Sequence, residues 1–186
     1  MNIEVSPIIT FQEVLARGIV HPLMYSKSAG QLKENAFKPP PGRNDVSVLR
    51  LLYAGAGFCK KHFKSLVVGF HAYCGMALIK AGDVEDIPSK VADQSLGEEL
   101  PKVRVAFTPL DDKGQLRTDA PVFSADAGLP MHADIVFDFI PEPESPAPLW
   151  VRKIAKALAH QPPAMFFEDP DPESGNWTGA MLVLPS

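Results

Sequence analysis

Long apolar runs are missing from this chain of 186 residues, and no stretch reaches the roughly 20 residues that a bilayer-spanning helix requires. The opening residues, Met1-Asn2-Ile3-Glu4-Val5, lack the basic start and apolar run of a secretory leader. Cysteine is scarce, with two residues, which excludes a disulfide-built scaffold. The expected setting is therefore a reducing cytosol, with no membrane partner, and the sequon Asn176-Trp177-Thr178 reads as chance. No fixed-period repeat is present, which excludes a solenoid.

Proline is the residue in excess, at 19 of 186, about twice its usual share of roughly 5%. With 46% hydrophobic and 22% charged residues, the composition suits a folded chain and excludes a disordered one. The net charge of −4 hides a division. Residues 1–80 hold ten Lys/Arg against four Asp/Glu, and residues 81–186 hold eight against eighteen.

Local patterns predict the elements. Thr10 followed by Glu13 has the spacing of a capping box, which predicts a helix starting near residue 11. Residues 25–45 read as a long basic loop around Pro39-Pro40-Pro41-Gly42. Val46–Tyr53 is the best strand candidate, followed by a glycine turn and a helix over Phe58–Leu66. Gly69 and Gly75 break Val67–Ile79 into two short strands or one bent strand. Val103–Phe107 and Ala133–Ile140 read as strands, with a turn at Asp111-Asp112-Lys113-Gly114. Residues 141–148 form a stiff Pro/Glu connector to an amphipathic helix over 148–160, and Ala180–Leu184 reads as a final strand. Strands and helices do not alternate regularly. The expectation is a single α+β domain over 1–186, with short, mostly antiparallel strands and two or three amphipathic helices.

Chemistry-bearing residues fall into a few groups. Cys59, His62, His71 and Cys74 lie within 16 residues and offer zinc a thiolate and imidazole set. Their eight-residue spacer crosses Val67-Val68-Gly69-Phe70, and the alternative is two buried cysteines beside structural histidines. Ala54-Gly55-Ala56-Gly57 after a strand invites a phosphate-loop reading, yet Lys60 stands where the third glycine of a dinucleotide fingerprint belongs. The acidic loop from Asp169 fails as a calcium hand, with Ser174 at position 6 and Ala180 at position 12. His132, at a strand entry, suits acid–base work, with Ser47 and Arg50 as companions. Ser47 and Arg50, three apart on a strand, point to opposite faces unless the strand bends or ends. Arg17, Lys27, Lys38 and Arg43 are candidate anion binders, and Arg17 and Arg50 could equally pair with acids of the second half.

Arg17-Gly18-Ile19, Tyr25-Ser26-Lys27, Phe37-Lys38-Pro39-Pro40, Ser47-Val48-Leu49-Arg50 and His132-Ala133-Asp134-Ile135 occur in that order. Over residues 15–140 this layout resembles short, uncharacterised bacterial proteins with F-x-P, S-V-x-R and H-A-x-I motifs. The resemblance implies a bacterial, cytosolic protein and brings no activity with it.

Three functions follow as expectations. The first is a binding or accessory module whose basic surface over residues 27–64 meets an acidic protein partner or a phosphate-bearing ligand, nucleic acid being the weaker version. The second is a small enzyme on a nucleotide or phosphorylated substrate, of transferase or hydrolase type, using His132 with Arg17, Ser47 and Arg50. The third is a structural module stabilised by zinc.

Overall fold

Strands whose apolar side chains divide between two faces build a sheet at the centre of the computed structural model, which describes residues 3–91, 101–118, 122–123, 128–160 and 163–184. The strands in chain order are β1 (Ile3–Glu4), β2 (Val14–His21), β3 (Tyr25–Ser26), β4 (Gln31–Leu32) and β5 (Asp45–Arg50). They continue with β6 (Ala72–Lys80), β7 (Val103–Phe107), β8 (Val122–Phe123), β9 (His132–Phe137) and β10 (Met165–Glu168). The helices are α1 (Leu51–Ser65), α2 (Ala81–Lys90) and α3 (Leu149–Ala159), with a single 3-10 turn at Glu34–Ala36.

Six strands form the main sheet in the order β10-β6-β2-β5-β9-β7, and each neighbouring pair is antiparallel. Strands β3 and β4 make a small hairpin, and β1 pairs with β8. The fold is α+β, as the irregular alternation of elements predicts.

Cross-strand register assigns the two faces, because residues directly opposite point the same way. Ala16, Leu49, Met76 and Leu78 share one face and pack with Ala54, Cys59 and Phe63 of α1. Leu15, Ile19, Val48, Ile79 and Ile135 occupy the other face. There they meet Val84 and Ile87 of α2 and Val151, Ile154 and Leu158 of α3. Leu15, Ile19, Leu78 and Ile79 are wholly buried, and each contributes about 1.5–3 kcal/mol from that burial.

Several local expectations are corrected. The helix expected from residue 11 is a strand from Val14, because the chain enters the sheet between β5 and β6. Thr10 and Glu13 still make a turn, with Glu13 N–H donating to Thr10 O (3.0 Å). The Glu13 carboxylate is held by Arg50 and so does not close a capping box. The strand expected over 46–53 ends at Arg50, and α1 starts at the next residue. Gly55, at φ +69°, interrupts α1 where the glycine turn was expected, and the helix resumes well before Phe58. Residues 72–80 form one strand with a register shift against Ile19 and Val20. Residues 180–184 form no strand, and the edge position is taken by Met165–Glu168, which pairs with β6. No helix among the described residues is long and apolar enough to cross a membrane.

Candidate binding site

His132 opens β9 and lies opposite Leu49, on the α1 face of the sheet. With its Nδ1 protonated, the ring donates to Thr108 O (2.8 Å) and lies 3.0 Å from the Thr108 hydroxyl. That hydroxyl donates to Asp134 Oδ2 (2.7 Å). The imidazole Nε2 is 3.8 Å from Asp134 Oδ1, a buried oxygen that accepts no hydrogen bond among the described residues. Ser47 is paired with Asp134 across β5 and β9, on the same face. Burial, then the neighbouring His132, hold the His62 imidazole below its usual value. The 3.8 Å separation is too long for a hydrogen bond, and His132 is only 5% exposed, so solvent barely reaches the group.

Arg50 does not join this group. Its register partner is Leu15, on the opposite face, and its guanidinium lies over Tyr53 (4.6 Å) and Phe107 (5.2 Å). It is fully buried and donates to both Glu13 carboxylate oxygens, to Ser6 O and to Ile8 O (3.0 Å). Arg17 also spends its donors on backbone, giving to Ser47 O (2.8 Å) and Ala36 O (3.3 Å). Burial pushes the Arg17 guanidinium down to about 10, opposed by the Asp134 carboxylate and reinforced by Arg43. The four residues grouped by sequence thus divide: Arg17 fastens backbone, Arg50 holds Glu13 and backbone carbonyls, and His132 stands with Thr108 and Asp134, the register partner of Ser47.

The Cys/His set is also divided. Cys59 packs in the α1-side core, whereas Cys74 belongs to the core on the other face and donates its thiol to Ile19 O (3.4 Å). His62 stacks beside Phe58, and His71 lies by Val68 O (3.3 Å) and the ring of Phe70. No three His, Cys, Asp or Glu side chains converge as a metal-holding group among the described residues. Burial pushes the Cys59 thiol up to about 12 and, with Glu168, the Cys74 thiol up to about 11.

The remaining basic candidates lie at the surface. Lys27 is exposed in the β3–β4 turn, and Arg43 pairs with Asp45 (2.6 Å) at the start of β5. Lys38, two residues beyond the 3-10 turn, pairs with Glu34 (3.4 Å). Glu34 also pairs with Arg152 of α3 (3.2 Å), so cations 114 residues apart in sequence flank one carboxylate. Lys33 and Lys156 are exposed on the same two elements. Because α3 buries Val151, Ile154, Ala155, Leu158 and Ala159, its outward line runs through Leu149, Arg152, Lys156 and the capping His160.

At the end of that line lies a cavity of about 570 Å³. The β3–β4 hairpin, the C-terminal end of α3 and β10 enclose it. The Tyr25 and Phe166 rings meet there with centroids 4.4 Å apart. Gln31, His160 and Glu168 add polar groups to the lining. Burial, then Glu168 and Cys74, push the Tyr25 phenol above its usual value. Sequence reading missed Glu34, His160 and this aromatic pair, although the basic outer side of α3 was visible in its helical spacing.

No protein family, curated protein or solved structure matches the chain.

Proposed function

We propose that the protein is a small cytosolic binding module whose basic strip meets an acidic or phosphate-bearing partner. Lys33 and Lys38 from the 3-10 segment and Arg152 and Lys156 from α3 compose the strip. The observation that supports this most directly is the convergence of Lys38 and Arg152 on Glu34 at 3.4 and 3.2 Å. One carboxylate holds two cations in register but neutralises only one, so the strip keeps a local positive field within a chain of net charge −4. Lys27, exposed in the β3–β4 turn, adds a further cation, whereas Arg43 is paired with Asp45. The two cysteines are free and buried, which suits a reducing compartment.

Chromatography on an anionic heparin matrix at pH 7 tests the proposal. A chain of net negative charge is retained there only where its positive charges are segregated on one surface. The expected result is retention at about 50 mM salt and release by about 200 mM, because phosphate-type contacts weaken steeply with salt. Arg152→Glu combined with Lys156→Glu, in a variant shown by circular dichroism to be folded, should pass through unretained. Flow-through of the natural protein at low salt, or retention indifferent to salt, overturns the proposal.

A further inference from the structure

The cavity at the end of the strip has the size of small-molecule sites, about 570 Å³. Its chemistry is not that of an acidic peptide groove. Tyr25 and Phe166, tilted 37° to one another, offer aromatic ring surface, and Gly30, which carries no side chain, leaves the hairpin wall open. Beside the rings stand a carboxylate, Glu168, and an amide, Gln31. His160 closes the side that faces α3, one turn beyond the exposed Lys156. Lys27 is exposed in the same hairpin turn as Gly30.

A carboxylate in this place is informative, because it repels the phosphate that the strip attracts. It accepts hydrogen bonds and therefore suits the N–H donors of a ligand whose anionic part lies elsewhere. Aromatic surface, a carboxylate acceptor and a neighbouring line of cations together match a nucleotide. The base stacks on the rings, its donor edge meets Glu168, and its phosphate reaches toward Lys156 or Lys27.

We propose that this cavity binds a nucleotide whose base presents amino or ring N–H donors, guanine above the others, either free or within a single strand. Guanine offers two adjacent donors to one carboxylate. Uracil presents one N–H between two carbonyl oxygens, which Glu168 disfavours. The proposal rests on the basic strip as the phosphate-side contact, and it assigns the base-reading role to a separate set of residues.

Calorimetric titration of the full chain with GMP, with UMP and with inorganic phosphate tests it, together with labelled oligo-G and oligo-U pentamers read by anisotropy. GMP should bind at least tenfold more tightly than UMP, with inorganic phosphate weaker than both. Glu168→Gln should cost GMP about tenfold without weakening heparin retention, since it removes the acceptor charge and none of the strip. Gln31→Ala offers a second variant at an exposed position. Preference for the G pentamer without GMP binding identifies the single strand as the source of the base and upholds the pocket. Equal binding of GMP and UMP, or no binding of any G-bearing probe, overturns it. Heparin retention alongside that failure leaves the strip standing, and GMP binding without retention removes the strip and keeps the pocket.

Discussion

The pair Arg50–Glu13 should be among the most costly ionic contacts to break, and the reason is its burial. The Arg50 side chain is 0% exposed and that of Glu13 is 8% exposed. Exposed ion pairs typically contribute under about 1 kcal/mol, because solvent already satisfies each charge. Removing one partner of a buried pair instead leaves an uncompensated charge and costs about 3–5 kcal/mol. Glu13→Gln keeps the volume and one acceptor oxygen but removes the charge, leaving Arg50 with neutral acceptors alone, the carbonyls of Ser6 and Ile8 among them. Arg50→Met strands the carboxylate and frees the segment around residues 6–8 from β5. The double variant removes both charges and should cost less than the sum of the single ones, by about 2 kcal/mol or more. Urea unfolding followed by circular dichroism reads this directly. At a slope of about 2 kcal/mol/M, a loss of 4 kcal/mol moves the midpoint down by about 2 M. A Glu13→Gln shift worth less than about 1 kcal/mol, or strict additivity in the cycle, would falsify the reasoning.

Two further predictions concern the sheet and its core. Gly75 has φ +155°, and a Cβ there would lie 2.2 Å from Phe167 O, so Gly75→Ala must push β10 off β6. The expected loss is roughly 3 kcal/mol, or about 6–12 °C in Tm, whereas Gly57→Ala, with open space around it in α1, should be neutral or slightly stabilising. A Gly75→Ala melting curve equal to the natural one refutes the close-approach argument. The Cys59 thiol, pushed up to about 12 by burial, keeps its proton in the fold where the unfolded thiol loses it near about 8.5. Its contribution is therefore complete below that lower value and is lost as pH rises toward the folded value. Cys59→Ala should flatten the fall of stability between about pH 9.5 and 11 by about 1.4 kcal/mol per pH unit. Parallel slopes for the two proteins would show that the thiol does not stay protonated in the fold.

Strands and helices with one distinct face were legible in the sequence. Val103–Phe107 lies at the sheet edge and α3 lies on the surface, so each shows the period of its element. Strand β2 was hidden for the opposite reason. It sits between β5 and β6, and its sequence, Val-Leu-Ala-Arg-Gly-Ile-Val-His, shows no strict alternation, so the stronger local signal came from Thr10 and Glu13. Helix α2 carries Gly82 and Pro88, and tertiary packing of Val84 and Ile87 overrides both. The candidate site was harder still. Arg17 and Arg50 have the chemistry of anion forks, and nothing in their spacing reveals that backbone carbonyls and Glu13 claim their donors. The strip was half visible, since Arg152 and Lys156 repeat on one helical face, but the approach of Arg152 to Lys38 depends on the Glu34–Arg152 contact, which spans 118 residues.

The charge division between the two halves takes a different meaning from these contacts. It is bridged in depth where Lys60 enters the C-terminal loop. There its ammonium lies 2.8 Å from Asp169 Oδ2 and donates to Asp171 O and Asn176 O, each at 2.7 Å. Lys64 gives its protons to the carbonyls of Pro172 and Glu173 in the same loop. Two of the basic residues of the first half are thereby spent on holding the end of the chain, and Arg17 and Arg50 are spent within the sheet. The contact at Glu34 runs the other way, with an acid of the basic half holding a cation of the acidic half. A surface built from the first half alone would have lost these four cations to internal contacts. The strip keeps its charge because α3 adds Arg152 and Lys156 from the acidic half. Binding through it must therefore depend on the docking of α3 beside the 3-10 turn, where Arg152 meets Glu34.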